Sequence, residues 1–331
     1  MGDAVLCTAA LRALRNEFKQ EIIYFLANKT VRYLLSPNSF NDEWVETSRL
    51  NLSLLVYGLK QRGFSCAVLF KNSFGSALIT FLADIPQRIG YARDNRSLFL
   101  TDRIHPLKKA DGSFKPVPMI DYYLTITARL GCKTRDKRTE LSLNEEDTAN
   151  LSGKLPSAFS PASPLVILVP GGAYGPSKRW PAERFARTAD RLIEKYNATV
   201  ILCAAPNKME AKIAERICTL AERKVHSLVE TPLTMGELKT LFAESDLVIT
   251  NDTGPRHVAI ALGKKLITLF GPNNPKWTHT GYKDEVQIVG QAKCAPCDKP
   301  QCKQKKHLCM EAITVKMVCN AAGKILGKQR E

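Results

Sequence analysis

The sequence predicts an α/β fold of two Rossmann-like domains facing a cleft. Three observations lead there. Short apolar runs alternate with segments of helical period along the chain, the pattern of parallel strands joined by helical crossovers. At 331 residues the chain is long enough for two such domains. A polar stretch over residues 139–164, with Pro156, Pro161 and Pro164 among serines, divides the alternation in two. The expected domains are therefore 1–150 and 164–315, with a C-terminal helix over 316–331.

In the first half, Leu6, Ala10, Ala13, Leu14 and Phe18 form a helical stripe, and residues 21–26 then read as a buried strand. Helical periodicity over 50–64 leads to a strand at 65–70, a short helix at 75–82 and a longer one at 118–131. In the second half the apolar run Leu165 to Val169 is a strand. A helix follows with Phe185, Ala189, Leu192, Ile193 and Tyr196 on one face. Strand 199–203, helix 208–223, a short apolar run near 225–229, helix 234–244, strand 246–250, helix 256–262 and strand 265–269 complete the alternation.

Composition narrows the function classes. The chain is 44% hydrophobic and 24% charged, which is globular rather than disordered. A formal charge of +16 favours anionic partners: nucleic acid, anionic lipid surfaces or phosphorylated substrates. Nucleic acid is disfavoured, because no recognised binding motif is present and the aromatics do not interleave with the basic residues. No apolar run approaches the roughly 20 residues of a spanning helix. The N-terminus lacks the basic and long apolar regions of a signal peptide, and Leu6 stands where a myristoylation signal needs Ser or Thr. The expectation is a soluble, cytoplasmic protein that touches a membrane face.

Of the ten cysteines, six are scattered in apolar contexts as buried thiols. The other four, Cys294, Cys297, Cys302 and Cys309, read as reduced thiols in a basic loop, with a spacing that could also hold a structural zinc. Any metal held there is expected to be structural and remote from the chemistry.

The chemistry is expected at two glycine turns. Asn251-Asp252-Thr253-Gly254 lies between the strand at 246–250 and a small-residue helix, so backbone N–H groups and a helix dipole converge on one spot suited to a phosphate. The other turn, Pro170-Gly171-Gly172-Ala173-Tyr174-Gly175, ends in Pro176-Ser177-Lys178. Two such turns and one lysine suggest a site for a diphosphate-containing nucleotide. Both lie at the carboxyl ends of strands, where ligands bind in such sheets.

These residues resemble a known family. Gly2-Asp3 before a helix, the Pro170 to Pro181 motif and Asn251-Asp252-Thr253-Gly254 with His257 are similar to the ADP-heptose:lipopolysaccharide heptosyltransferases, glycosyltransferase family 9. Lys71-Asn72-Ser73-Phe74 and the Ile85-Pro86, Arg88, Gly90 motif are most like the heptosyltransferase II branch. The resemblance implies a GT-B fold whose C-terminal helix returns toward the N-terminal domain. It also implies inverting transfer from ADP-heptose to a heptose of a lipid A–Kdo–heptose acceptor, at the inner face of the cytoplasmic membrane, with no metal and no cofactor. Asp3 matches the general base, with a helix N-cap as its ordinary alternative. Lys178 matches the cation that meets the departing diphosphate. Gly171, Gly172, Asp252, Thr253 and Gly254 would join it at the donor. Glu210 would accept from ribose hydroxyls or serve as a first-turn helix acid. His257 belongs to the donor motif, although a histidine on the inner face of a small-residue helix is more often a satisfied core residue. Lys71, Asn72, Ser73, Arg88 and Arg93 would hold the acceptor's anionic groups; of the basic residues in these loops, Arg96 among them, most read as solvated charge. The alternatives are a GT-B enzyme for another nucleotide sugar and an inactive homologue that binds a lipid-linked glycan. The chain departs from the family pattern by opening directly on Gly2-Asp3, so the N-terminal sheet is expected to lack its first strand, with the natural start upstream of Met1 as one explanation.

Overall fold

The computed structural model describes residues 1–47, 51–155, 163–172 and 174–327. Pro156 and Pro161 of the expected linker, Ala173 of the glycine turn and the last four residues lie outside these. The chain forms two compact units. The larger comprises Met1–Val5, Glu140–Pro275 and Gly281–Glu331; the smaller comprises Leu6–Thr139 and Lys276–Thr280.

The short α1 (Gly2–Leu6) begins in the larger unit and hands the chain to the smaller one. There follow α2 (Thr8–Glu17), β1 (Tyr24–Ala27), α3 (Lys29–Leu35), β2 (Glu43–Glu46), α4 (Leu52–Gln61), β3 (Cys66–Leu69), α5 (Phe74–Leu82), β4 (Gln87–Tyr91), β5 (Asp102–Ile104) and α6 (Met119–Ala128). All of the strand pairings are parallel, but they fall into two separate ladders, β1–β2 and β3–β4–β5. No described strand joins them. Helix α2 buries Ala9, Ala10, Leu11, Ala13 and Leu14 and packs on α6, so the expected stripe is the core-facing one.

The larger unit continues with α7 (Glu145–Ser152), β6 (Leu165–Val169), α8 (Ala182–Tyr196), β7 (Thr199–Leu202), α9 (Lys208–Leu220), β8 (His226–Ser227), α10 (Met235–Glu244), β9 (Leu247–Asn251), α11 (Gly254–Ala261), β10 (Leu266–Phe270), β11 (Glu285–Val289), α12 (Leu308–Ala312) and α13 (Val315–Leu326). Its six strands form one parallel sheet in the order β11-β10-β9-β6-β7-β8. Every residue of β6, β7, β9 and β10 is buried, as expected where helices cover both faces. The chain order runs outward in one direction from β6 and in the other from β9. The topological switch therefore lies between these two neighbouring strands, where such sheets bind ligands.

The division between the units falls at 139/140, at the start of the polar stretch. Residues 140–155 are sewn to α10: Lys239 Nζ donates to Ser142 O at 2.8 Å, Lys154 pairs with Glu237 at 2.8 Å, and Gly236 leaves room for the Asp147 carboxylate. The expected C-terminal helix is α13, preceded by the short α12. Helix α13 lays Val318, Ala321, Ala322 and Leu326 into the core of the larger unit and packs on α8.

Candidate active site

The switch point brings the two glycine turns together, and one asparagine ties them. Asn251, the last residue of β9, donates from Nδ2 to Pro170 O (2.8 Å) and Gly171 O (3.3 Å). Its Oδ1 accepts from Trp180 N at 3.3 Å. The turn after β6 is further fixed from below by Glu210, whose carboxylate accepts from Gly172 N (3.3 Å) and Ala205 N (2.7 Å). Gly171 has to be glycine on steric grounds, because a Cβ there would overlap that carboxylate. At Gly172 a Cβ would lie 3.0 Å from Thr253 Cγ2. Glu210 thus braces the turn through its backbone amides, with Asn207 capping the helix beneath it.

Lys178 is buried, and its ammonium is held by Asp252. Nζ donates to Asp252 Oδ2 at 2.8 Å and to Asp252 O at 2.9 Å, and sits 4.5 Å from the Tyr174 ring centroid. Asp252 precedes Thr253, the N-cap of α11. The Thr253 side chain makes no capping bond; it turns to Thr250 and Asn251 O instead. The first amides of α11 are therefore not consumed by the cap, and a cation stands beside them. A second buried cation completes the arrangement. Arg256, in the first turn of α11, lies 3.6 Å from Asp252 Oδ1 and makes a two-pronged pair with Glu285 of β11 at 2.6 and 2.9 Å. Burial opposes the charge on Glu285, but the Arg256 hydrogen bonds outweigh it and hold the carboxyl below its ordinary range.

The N-terminal residues abut this helix start. A Cβ on Gly254 would lie 3.1 Å from Met1 Cβ, and one on Gly2 would lie 2.9 Å from His257 Cδ2. Asp3, exposed in the first turn of α1, is thereby brought to the same end of α11 as Asp252 and Lys178. His257 is not a satisfied core histidine: it is buried and its Nδ1 has no hydrogen-bond partner among the described residues. Burial, and then the charge of Arg256, hold its imidazole well below the ordinary value of 6.5, so it stays neutral in the fold. The unfolded chain takes up that proton as pH falls below its ordinary value. Stability is then full above it and falls below it, by at most about 1.4 kcal/mol per pH unit from this group. Urea melts of wild type and His257→Gln at pH 7.5 and 5.5 should show the smaller acid loss in the variant. Equal losses would mean that His257 is protonated in the fold.

In the smaller unit the acceptor candidates surround one buried guanidinium. Arg96, which reads from sequence as solvated, is wholly buried. Its Nε donates to Tyr91 O (2.9 Å) and its Nη2 to Asn72 Oδ1 (2.9 Å), while Nη1 reaches Lys71 O. Arg96 therefore shapes the Lys71-Asn72-Ser73 loop, and Ser73 caps α5 by accepting from Ser76 N. Arg88 is occupied likewise: it donates to Phe99 O at 2.6 Å and to Ile85 O, under the Phe81 ring. Arg93 sits over Phe114 and pairs with Asp94 at 3.2 Å. Tyr91 and Tyr122 stack behind this loop with their ring centroids 3.6 Å apart.

The sequence profile of glycosyltransferase family 9 (heptosyltransferase) matches residues 54–308. The chain belongs to this family. Lipopolysaccharide heptosyltransferase 2 of Salmonella typhimurium is 28% identical over 294 residues, covering 84% of this chain and 82% of its own. Lipooligosaccharide heptosyltransferase 2 of Campylobacter jejuni is 24% identical, with 98% and 96% covered. The structure of E. coli ADP-heptose lps heptosyltransferase II superposes with a TM-score of 0.79 at 23% identity, covering 100% of this chain and 97% of that one. A family 9 structure from Veillonella parvula gives 0.80 at 20% identity, with 99% and 94% covered. The fold is the GT-B fold of these enzymes.

Three features of this family 9 chain escape a reading of motifs. The Arg256–Glu285 pair and the tying role of Asn251 come from side-chain geometry alone, although Asn251 stands inside the quoted motif. The cysteine-rich loop is the third, and it is not remote. Tyr174 Oη donates to Asp298 O at 2.6 Å, Ser177 Oγ to Lys299 O at 2.6 Å, and Ser177 N to Pro300 O, so the loop lies directly on the turn that carries Lys178. Burial pushes the Cys309 thiol up, and its neighbours Cys294, Cys297 and Cys302 add in the same direction. Among the described residues no three His, Cys, Asp or Glu side chains are set as metal ligands.

Proposed function

We propose that the chain is an inverting glycosyltransferase that moves a heptose from ADP-heptose to a heptose of the lipopolysaccharide inner core, without a metal ion. The observation that carries this reading is the buried Lys178 ammonium, held by Asp252 beside the uncapped amides of α11 at the switch of the sheet. Membership of family 9 and the names of the Salmonella and Campylobacter relatives support the sugar and the acceptor class. The likeness to the E. coli ADP-heptose transferase supports the ADP donor.

Asp3 takes the proton of the acceptor hydroxyl as its oxygen bonds to the anomeric carbon from the face opposite ADP. The bond from that carbon to the diphosphate oxygen breaks, and the electron pair leaves with ADP. Lys178 and the amides around Thr253 and Gly254 meet the negative charge as it builds, a preorganised arrangement that costs no reorganisation at the moment of reaction. Glu210 keeps the Gly171–Gly172 turn open for the nucleotide. The Lys71-Asn72-Ser73 loop, with Arg93, binds the anionic groups of the acceptor, and Arg88 supports that region from within. The enzyme works at the cytoplasmic face of the membrane; no helix among the described residues is long and apolar enough to cross it.

The test is a thermal-shift panel of ADP, UDP and GDP, followed by transfer assays with and without EDTA. ADP should stabilise the protein selectively, and transfer should be unchanged by the chelator. Selective stabilisation by UDP or GDP would replace the donor assignment. Activity lost in EDTA and restored by Mg²⁺ would overturn the metal-free mechanism.

A further inference from the structure

Lys178 has a difficulty that the site itself answers. Two of its three N–H groups are directed at Asp252. One N–H is left for a diphosphate, and to grip it with a second Lys178 has to release or share one of these bonds. That would loosen the ammonium's hold on Asp252, itself buried, and a buried carboxylate that loses a cation is heavily penalised. A second cation is already in place. Arg256 is wholly buried, with Nη1 3.6 Å from Asp252 Oδ1, the carboxylate oxygen that Lys178 does not use.

The orientation of Arg256 is over-determined. Its Nε and Nη2 face the Glu285 carboxylate in a planar fork, which leaves Nη1 turned to Asp252. Glu285 is held in turn by Thr268 Oγ1 at 2.6 Å and Gln287 Nε2 at 2.8 Å, and the guanidinium lies 5.0 Å from the Phe270 ring centroid. The series Lys178, Asp252, Arg256, Glu285 alternates in sign and sums to zero. Substituting Arg256 by a neutral residue would leave net negative charge in the wall of a site that has to accept an anion.

We propose that Arg256, clamped by Glu285, is the positioning residue that takes over Asp252 when Lys178 turns to the diphosphate of the donor. Arg256 is too buried to touch the donor and acts through Lys178. The proposal rests on the reading of Lys178 as the diphosphate cation.

A double-mutant cycle with ADP as the probe tests it, read by calorimetric Kd. Arg256→Met/Glu285→Gln removes both charges together, so no buried charge is stranded within that pair. It should weaken ADP binding by about tenfold or more in the wild-type background. Placed on Lys178→Met, the same pair of substitutions should cost less than about twofold further, because the residue through which Arg256 acts is gone. A purely structural role would cost the same factor in both backgrounds, and that additive result would overturn the proposal, as would unchanged ADP affinity in the folded double variant. Should the double variant not fold, Arg256→Lys enters the same cycle; it keeps the charge and loses the fork, and its loss should again vanish on Lys178→Met. Wild type that fails to bind ADP would strike the donor assignment instead, so the two failures are distinguishable.

Discussion

Lys178→Met should lower turnover at saturating donor by about 10²-fold or more, the usual consequence of losing one preorganised donor to developing charge. Methionine keeps much of the apolar stem, so the turn over which the side chain runs is not emptied. The effect belongs on turnover more than on donor affinity, because the charge on the leaving diphosphate grows as the glycosidic bond breaks. Asp252 retains Arg256 at 3.6 Å in the variant, so the carboxylate is not left alone and the fold should survive, as a melting curve will show. Single-turnover rates with ADP-heptose separate chemistry from binding. A variant that melts near wild type and turns over within about threefold of it would remove Lys178 from the reaction.

The sequence carried the donor half of this site more completely than the acceptor half, for a physical reason. Strands buried on both faces appear as continuous apolar runs, and β6, β7, β9 and β10 are each legible that way. A turn that meets a phosphate needs glycine and a cap residue at fixed offsets, so it also leaves a local signature. The smaller unit has short, half-exposed strands. Its β2 reads Glu43-Trp44-Val45-Glu46 and buries one residue, too little for a periodic signal, and the polar starts of β4 and β5 obscure those strands similarly. Helix α7 is hidden in the expected linker because it is largely acidic and polar, with Glu145, Glu146 and Asp147 in its first turn, and buries Leu151 alone. What fixes it is its packing on α10 and the Lys239–Ser142 bond across 97 residues, which no local pattern records. Arg96 fails as a surface charge for the same reason. Its acceptors are carbonyls brought in from Lys71 and Tyr91 by tertiary folding, and a guanidinium surrounded by carbonyls has the composition of an ordinary loop. Arg256 and Glu285 are 29 residues apart and become partners only when β11 lies beside β10.

Asp3→Asn should lower turnover by about 10²- to 10⁴-fold, the range for loss of a positioned general base. The competing role for an acid in the first turn of α1 is to complement the helix dipole, worth typically about 0.3–1 kcal/mol. Asparagine answers between them, since it keeps the size and capping capacity of aspartate and removes only the ability to accept a full proton. If Asp3 is a helix acid, the variant loses a small amount of stability and keeps its rate. If Asp3 is the base, the rate falls while ADP affinity stays near wild type, because the residue meets the acceptor hydroxyl and not the nucleotide. The contacts of Met1 and Gly2 with Gly254 and His257 make this position sensitive to small shifts. Gly2→Ala is therefore the companion variant: its new Cβ would lie 2.9 Å from His257 Cδ2 and push α1 off α11, shifting the Asp3 carboxylate without removing it. A general base whose distance to the reacting oxygen matters should lose rate in Gly2→Ala as well, and both losses should appear in turnover rather than in ADP binding. Asp3→Asn at wild-type rate, with transfer otherwise demonstrated, would place the base elsewhere and leave Asp3 as the first-turn acid of a short helix.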